Sequence, residues 1–446
     1  MKTKALKWIL PILALGLLLI LTLSPIDQLH YREEGFYSKQ QAHLSRFQPQ
    51  ADTSTIPFQA GWSQANITPS WATPLAGYRL REAFEGVHDS LEVNALVLNK
   101  GGVKAGILAV DLLIFPPALQ QALADTLPSL GWDIDQLYLS ATHTHSGIGG
   151  WIPAFGGRFI AGPFEQKVLD WLVDQSIYAL LELWEVQAGR WRTSAPAYVR
   201  NRLSKRGSID PTLQGLYLKD SLGKAFVLGS YAAHPTCLSS RDTYLSADYP
   251  GYYRKFLEKE GNIDQAMFLA GPVGSHSPLH PNDSLRNLEK AQAMGRELAL
   301  ATIQALEDPF LARSPAFRAG QLPLELDTLQ ARIGDTWGSS PWAFEQLLGT
   351  GPLRINALQV GNLCMLSVPC DYSGELALEL YEDMPAGAQL LISGFNGGYV
   401  GYITPDEYYH SVKKAETREM NWTGPYTGSY MQEVLGEVAE KLVRQE

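Results

Sequence analysis

The sequence predicts an α/β fold: mixed β-sheets flanked by helices, gathered in a single large domain and preceded by one N-terminal transmembrane helix. Three observations point there. From about residue 60 onward, apolar runs of strand length alternate with amphipathic segments of helical spacing. No stretch of that region has the composition of a linker, and no internal repeat is evident. Ahead of it lies an uncharged segment long enough to span a bilayer.

That segment runs from Trp8 to Ile26, behind Lys2, Lys4 and Lys7. As a helix it matches the roughly 30 Å hydrocarbon core, and the lysines place the N-terminus inside and the body outside. Residues 1–27 are therefore expected to be a membrane anchor. A cleaved signal segment is the alternative, although the stretch is long for one. Either way the body is exported, to the periplasm or the cell surface. Residues 28–56 are polar, with helix-compatible spacing at Gln40, His43, Leu44 and Phe47, and read as a stalk. Residues 57–446 are the domain.

Within it, Leu91 to Leu98 reads as a strand and Lys104 to Ile114 as a buried one. Pro116 to Leu130 is amphipathic, with Pro at its start and Gly131 at its end, as a helix requires. Leu137 to Ala141 is a third strand, and Phe164 to Leu183 a long helix. Strands follow near Gly189–Ser194, Leu216–Lys219 and Ala225–Ala233, then a helix over Asn287–Ala305. Late strands fall at Ile355–Val360, Leu363–Val368 and Gln389–Ser393.

Lys and Arg total 36 against 46 Asp and Glu, a net charge of −10. An acidic balance argues against a nucleic-acid partner. Cys237, Cys364 and Cys370 are too few for a disulfide framework and match no Cys-based zinc motif. Cys364 and Cys370 read as buried thiols or as a pair.

Five segments carry chemistry. In Ala141-Thr142-His143-Thr144-His145-Ser146-Gly147, two histidines two residues apart follow a buried strand. On an extended backbone both point to one side, where neutral imidazoles can ligate a metal. Two strand-end histidines without a metal are the plainer reading. Tyr231-Ala232-Ala233-His234-Pro235-Thr236 brings a third histidine to another strand end, with Pro235 holding His234 extended. Gly271-Pro272-Val273-Gly274-Ser275-His276-Ser277-Pro278 allows a close backbone approach and offers a serine, or is a plain loop. Pro369-Cys370-Asp371 puts a carboxylate after a strand. Asn396-Gly397-Gly398-Tyr399-Val400-Gly401-Tyr402 is glycine-rich and aromatic, and could be a packed turn.

Together these segments resemble the neutral (alkaline, non-lysosomal) ceramidase family. The resemblance extends through Ala60-Gly61, Ile67-Thr68-Pro69, Gly77-Tyr78, Asn201-Arg202 and Ser246-Ala247-Asp248 with Gly251-Tyr252, in order over most of residues 60–430. It implies a zinc held by His143, His234, Asp371 and Tyr402. It also implies His145 as a hydrogen-bonding group beside the metal, Ser277 as the serine of the site, and Arg202 at its mouth. The implied activity is hydrolysis of the amide of ceramide or a related N-acyl lipid, releasing a fatty acid and an amine such as sphingosine. The nucleophile is either a zinc-activated water or Ser277.

The sequence departs from the family's pattern in four places. Pro369-Cys370-Asp371 stands for Pro-Gly-Glu, and Gly274-Ser275-His276-Ser277-Pro278 for Gly-Asp-Val-Ser-Pro. A second site tyrosine has no match near Lys413 and Lys414. The immunoglobulin-like C-terminal domain usual in the family is not in the sequence. Two other readings remain: a zinc hydrolase of another N-acyl or ester substrate, and an inactive envelope binding protein.

Overall fold

A computed structural model describes residues 14, 16–78, 81, 83–179 and 183–444. Two sheets pack face to face. The larger has eight strands, in spatial order Gln265–Ala270, Ala225–Tyr231, Thr212–Asp220, Trp184–Ser194, Gln59–Asn66, Glu92–Lys100, Val103–Val110 and Leu137–Ala141. The smaller has five: Gln50–Asp52, Phe317–Pro323, Arg354–Val360, Leu363–Val368 and Gln389–Gly394. Leu96, Ile107, Leu228 and Met267 from the first sheet meet Phe317, Leu358, Met365 and Leu391 from the second in one buried core. Strands buried on both faces read as near-continuous apolar runs, which is why most of these were visible in the sequence; Gln50–Asp52, Gln59–Asn66, Gln265–Ala270 and Phe317–Pro323 were not among the expected strands.

Helices cover both outer faces. Pro117–Thr126 and Gln166–Tyr178 pack on one half of the large sheet. Asp248–Glu260 and Asn287–Ala305 cover the other half. Gly374–Glu382 and Thr427–Val443 cover the small sheet. The order is helix, sheet, sheet, helix, the mixed α/β architecture expected.

Three of these helices lie outside the sequence expectations: Asp248–Glu260, Gly374–Glu382 and Thr427–Val443. Pro250 and Gly251 disguise the Asp248–Glu260 helix, where Pro is tolerated because it falls in the first turn. The Thr427–Val443 helix buries Tyr430, Met431, Val434, Leu435, Val438 and Leu442, a helical spacing legible in the sequence.

The N-terminal region differs from expectation in two respects. Residues 8–13 and 15 of the expected span lie outside the described residues. Its end is not helical: residues 16–22 are helix, but Leu23–Pro25 is a strand paired with Trp337–Ser339. Pro25 holds Ser24 extended, so a helix cannot run through to Ile26. Among the described residues no helix is long and apolar enough to cross a membrane. The segment 28–56 is not a free stalk. Its helix, Gly35–Arg46, buries Leu44 in the core under the small sheet, and Gln50–Asp52 joins that sheet beside Phe317–Pro323. Glu433 ties it down further, accepting from Tyr31, Tyr37, Gln41 and Arg32.

Candidate active site

Three parallel pairs set the site: Val103–Val110 with Leu137–Ala141, Ala225–Tyr231 with Gln265–Ala270, and Leu363–Val368 with Gln389–Gly394. In open sheets, ligand sites form beyond the carboxyl ends of parallel strands. Here the loops leaving five of these six strands deliver His143, His234, Gly274, Asp371 and the 395–402 turn to one place. Cross-sheet hydrogen bonds fix the register of the two sheets beneath them. Ser140 Oγ donates to Gly394 O at 3.0 Å, Ser367 Oγ to Leu139 O at 2.7 Å, and Leu139 N to Asn356 Oδ1 at 3.3 Å.

The three histidines converge through their Nε2 atoms. His143 and His234 are 2.9 Å apart, His145 and His234 2.9 Å, and His143 and His145 3.4 Å. Ligand atoms around a tetrahedral zinc at about 2.0–2.1 Å sit roughly 3.3 Å from one another. Burial holds all three imidazoles neutral. His143 and His234 titrate well below the ordinary histidine value and His145 is lowered to about 3. His143 Nδ1 donates to the Leu113 carbonyl at 2.5 Å, which leaves the Nε2 lone pair facing the cluster.

Asp371 completes the group. It is fully buried, and its Oδ1 has no hydrogen-bond donor yet lies 3.4 Å from His143 Nε2. Oδ2 accepts from Tyr399 at 2.7 Å. Burial pushes the carboxyl up to about 7, against the pull of Tyr399 and Arg202. Three convergent, neutral imidazole nitrogens could hold a divalent cation, and an orphaned carboxylate oxygen stands 3.4 Å from one of them, so the donor chemistry present fits such an ion.

Tyr402 sits opposite Asp371 in a two-residue parallel ladder, its ring parallel to that of His234. Its hydroxyl accepts from Arg202 Nη2 at 3.1 Å. The same nitrogen lies 3.2 Å from His234 Nδ1 and donates to Gly274 O at 3.0 Å, while Nε faces Glu416 at 3.3 Å. Arg202 is therefore bound into the site wall rather than reaching out from its mouth. Ser277 makes its hydrogen bond elsewhere. It pairs with Arg200 across a short ladder, and its Oγ accepts from the exposed Arg200 Nε at 3.0 Å. Ser275 is the buried serine of that loop, bonded to His276, Ser373 and Gly374.

Several site residues escaped sequence reasoning. Phe395 stacks on His143 with centroids 3.9 Å apart and planes 3° from parallel. Both residues have positive φ, 69° and 62°. Such strain persists only where surrounding packing enforces it. Tyr399 and Glu416 carry no local signal beyond lying near aromatic or charged turns. Gly77 is required where it stands: with φ of 102°, any Cβ there would meet His145 Cα at 2.6 Å. A Cβ at Gly274 would run into the Asp371 carbonyl.

Beneath the His143–His145 loop lies a buried acidic support. Thr144 Oγ1 donates to Ser246 O at 2.7 Å, Ser246 Oγ to Asp89, and Ala247 N to Asp89 at 3.0 Å. Asp248 accepts from Leu238 N at 3.0 Å and Tyr249 N at 2.6 Å. Burial pushes its carboxyl up to about 6. Between about pH 4 and 6 the folded chain thus holds a proton that the unfolded chain has lost, so this group makes stability fall as pH rises through that window. Asp248→Asn, which tolerates the φ of 57°, removes that slope. From pH 4 to 7 the variant should gain on the natural chain by up to ~3 kcal/mol, at about 1.4 kcal/mol per pH unit. Calorimetric midpoints across pH read this, and a difference that is flat with pH would refute it.

Comparison with known proteins adds identity to geometry. The family described as "Neutral/alkaline non-lysosomal ceramidase, N-terminal" matches residues 58–292, more than half the chain. The chain belongs to this ceramidase family. That stretch holds His143, His145, Arg202 and His234, whereas Asp371 and Tyr402 lie beyond it. Neutral ceramidase from rice (Oryza sativa subsp. japonica) is 22% identical over 350 residues, covering 72% of this chain and 43% of the relative. The chain thus spans less than half of that ceramidase's length. The crystal structure of neutral ceramidase from Pseudomonas aeruginosa shares the fold at a TM-score of 0.72 and 19% identity, covering 87% of this chain and 75% of that one. A ceramidase structure described as complexed with C2 aligns equally well, at 0.72 and 17% identity over 87% and 76% of the two chains.

An apolar cavity of about 350 Å³ adjoins the candidate site. Ile114, Trp151, Ile160, Leu348 and Trp422 line it, and it reaches Tyr399, whose hydroxyl holds Asp371.

Proposed function

We propose that this chain hydrolyses the amide bond of ceramide or a related N-acyl lipid, with a zinc ion held by His143, His234, Asp371 and Tyr402. The observation that carries the reading is the convergence of three neutral imidazole nitrogens, with an orphaned, buried carboxylate oxygen 3.4 Å from one of them and an apolar cavity one side chain away. When bound, zinc polarises a carbonyl and lowers the pKa of a coordinated water toward ~7.

The chain's own residues supply the rest. Leu113 O fixes the His143 ring, and Tyr399 fixes Asp371. Arg202 keeps a positive charge beside Tyr402 and Asp371 and aligns the tyrosine hydroxyl. His145 is the one histidine of the three that is partly exposed, with its Nε2 2.9 Å from that of His234, and on this reading it hydrogen-bonds the reacting carbonyl rather than the ion. The apolar cavity takes an acyl chain and excludes water from the site. Water adds to the carbonyl, the C–N bond breaks, and the proton leaves with the amine.

Water is favoured over Ser277 as nucleophile because the Ser277 hydroxyl is bonded to Arg200. Ser277→Ala should accordingly keep turnover within about fivefold, since the loss of one surface hydrogen bond is worth ~1 kcal/mol or less. A drop of a hundredfold or more would restore the serine route. We further place the enzyme outside the cytoplasm, on the strength of the charge-flanked apolar run Trp8–Ile26. The deciding assay is metal content with ceramide hydrolysis on the purified chain. Zinc bound without ceramide cleavage would redirect the reading to other N-acyl or ester substrates. No bound metal and no hydrolysis would favour a binding protein.

A further inference from the structure

Phe155, Phe159, Ile333, Trp337 and Trp342 are each between 51 and 65% exposed. The segments that carry them are packed against one another. The Phe155 and Phe159 rings lie 6.0 Å apart. Gly156, between them, abuts the carbonyl of Leu347 at the end of the Pro341–Leu347 helix, which carries Trp342. Trp337 lies in the strand leading into that helix, and its carbonyl accepts from Ile333 N at 2.9 Å. An exposed aromatic cluster of this kind marks an interaction surface.

Two features identify what it meets. The apolar N-terminal segment leaves the body at this place: Ser340 N donates to Thr22 O at 2.7 Å and Ser340 Oγ to Leu21 O at 2.5 Å. Residues 17–21, all Leu or Ile, are 48–75% exposed there. The apolar cavity adjoins the same face, because Ala154 and Leu348, which line it, are the chain neighbours of Phe155 and Leu347. Arg158, exposed and 5.3 Å from the Phe155 ring centroid, adds a cation suited to a phosphate headgroup. Tryptophan and phenylalanine with a flanking arginine are the residues that settle at a membrane–water interface.

We propose that this face seats on a lipid bilayer and passes acyl chains from it into the cavity beside Tyr399. The seating stands on the surface itself; the nature of the cargo rests on the N-acyl-lipid reading above. In the full chain the three native cysteines are buried, so a single added one can be labelled selectively. Phe159→Cys carrying a polarity-sensitive fluorophore should shift to the blue with phosphatidylcholine vesicles. A label at Leu222→Cys, on an exposed turn outside the face, should not. With Trp337→Ser and Trp342→Ser added, the shift at position 159 should fall at least twofold, although the N-terminal segment is intact. No shift at 159, equal shifts at 159 and 222, or an undiminished shift in that background would each overturn the seating.

Turnover reads the delivery step. The Trp337→Ser Trp342→Ser chain should lose at least tenfold on an N-acyl lipid in vesicles and nothing on a water-soluble short-chain N-acyl amine. Equal turnover of both chains on vesicles would overturn delivery. If the natural chain cleaves neither substrate, the proposed function and delivery fall together while the fluorescence still decides the seating.

Discussion

A His143→Ala His234→Ala chain should bind no zinc and hydrolyse N-acyl lipid at least ~10³-fold more slowly than the natural chain, since groups that act as one unit fail together. The three Nε2 atoms form a closed triangle with edges of 2.9–3.4 Å, so removing two corners leaves His145 alone. Asp371 then loses the partner that its orphaned oxygen faces at 3.4 Å. The same substitutions open space beside Phe395, which stacks on His143, so some loss of stability accompanies the loss of activity. Metal analysis separates the two effects. A folded double variant that keeps one zinc per chain and turns over within tenfold would place the centre elsewhere.

Arg254→Met should destabilise the chain by about 3–5 kcal/mol, the usual result of orphaning a buried charge. Arg254, on the Asp248–Glu260 helix, donates to both oxygens of fully buried Asp111, at 3.0 and 2.6 Å, and lies 3.2 Å from Glu92. Burial already raises the Glu92 carboxyl, with Arg254 as its main relief. Without the guanidinium, two carboxylates face each other in the interior. Urea unfolding should show the loss. Adding Glu92→Gln and Asp111→Asn should recover at least half of it by removing the unpaired charges. If the single variant is as stable as the natural chain, the triad contributes nothing. The effect reaches the site as well, because Asp111 opens the loop whose Leu113 carbonyl orients His143.

How much of this was legible beforehand depends on the range of the interaction. The strand Leu137–Ala141, the Asn287–Ala305 helix and the late strands were readable from period and punctuation, because burial on one or both faces writes itself into neighbouring residues. His143, His145 and His234 were readable as strand-end histidines followed by Gly or Pro. Asp371 and Tyr402 were reached only through resemblance to a family. In the fold they are cross-strand neighbours, 31 positions apart in sequence, and no local pattern announces such pairing.

Other features belong to the tertiary structure alone. The polar composition of residues 28–56 suggested a stalk, yet Glu433, some 400 positions later, supplies the carboxylate that binds it to the body. Ser277 sits in the motif expected of a site serine, but its hydroxyl accepts from Arg200, its partner across a short ladder. Phe395 and Tyr399 became site residues because two sheets pack in the one register that sets their turn over His143 and Asp371. The sequence by itself determined which residues are buried and which can ligate, since hydrophobicity and side-chain chemistry are properties of each residue. The distances and directions among the ligands were decided by packing, because they depend on contacts between segments far apart in the chain.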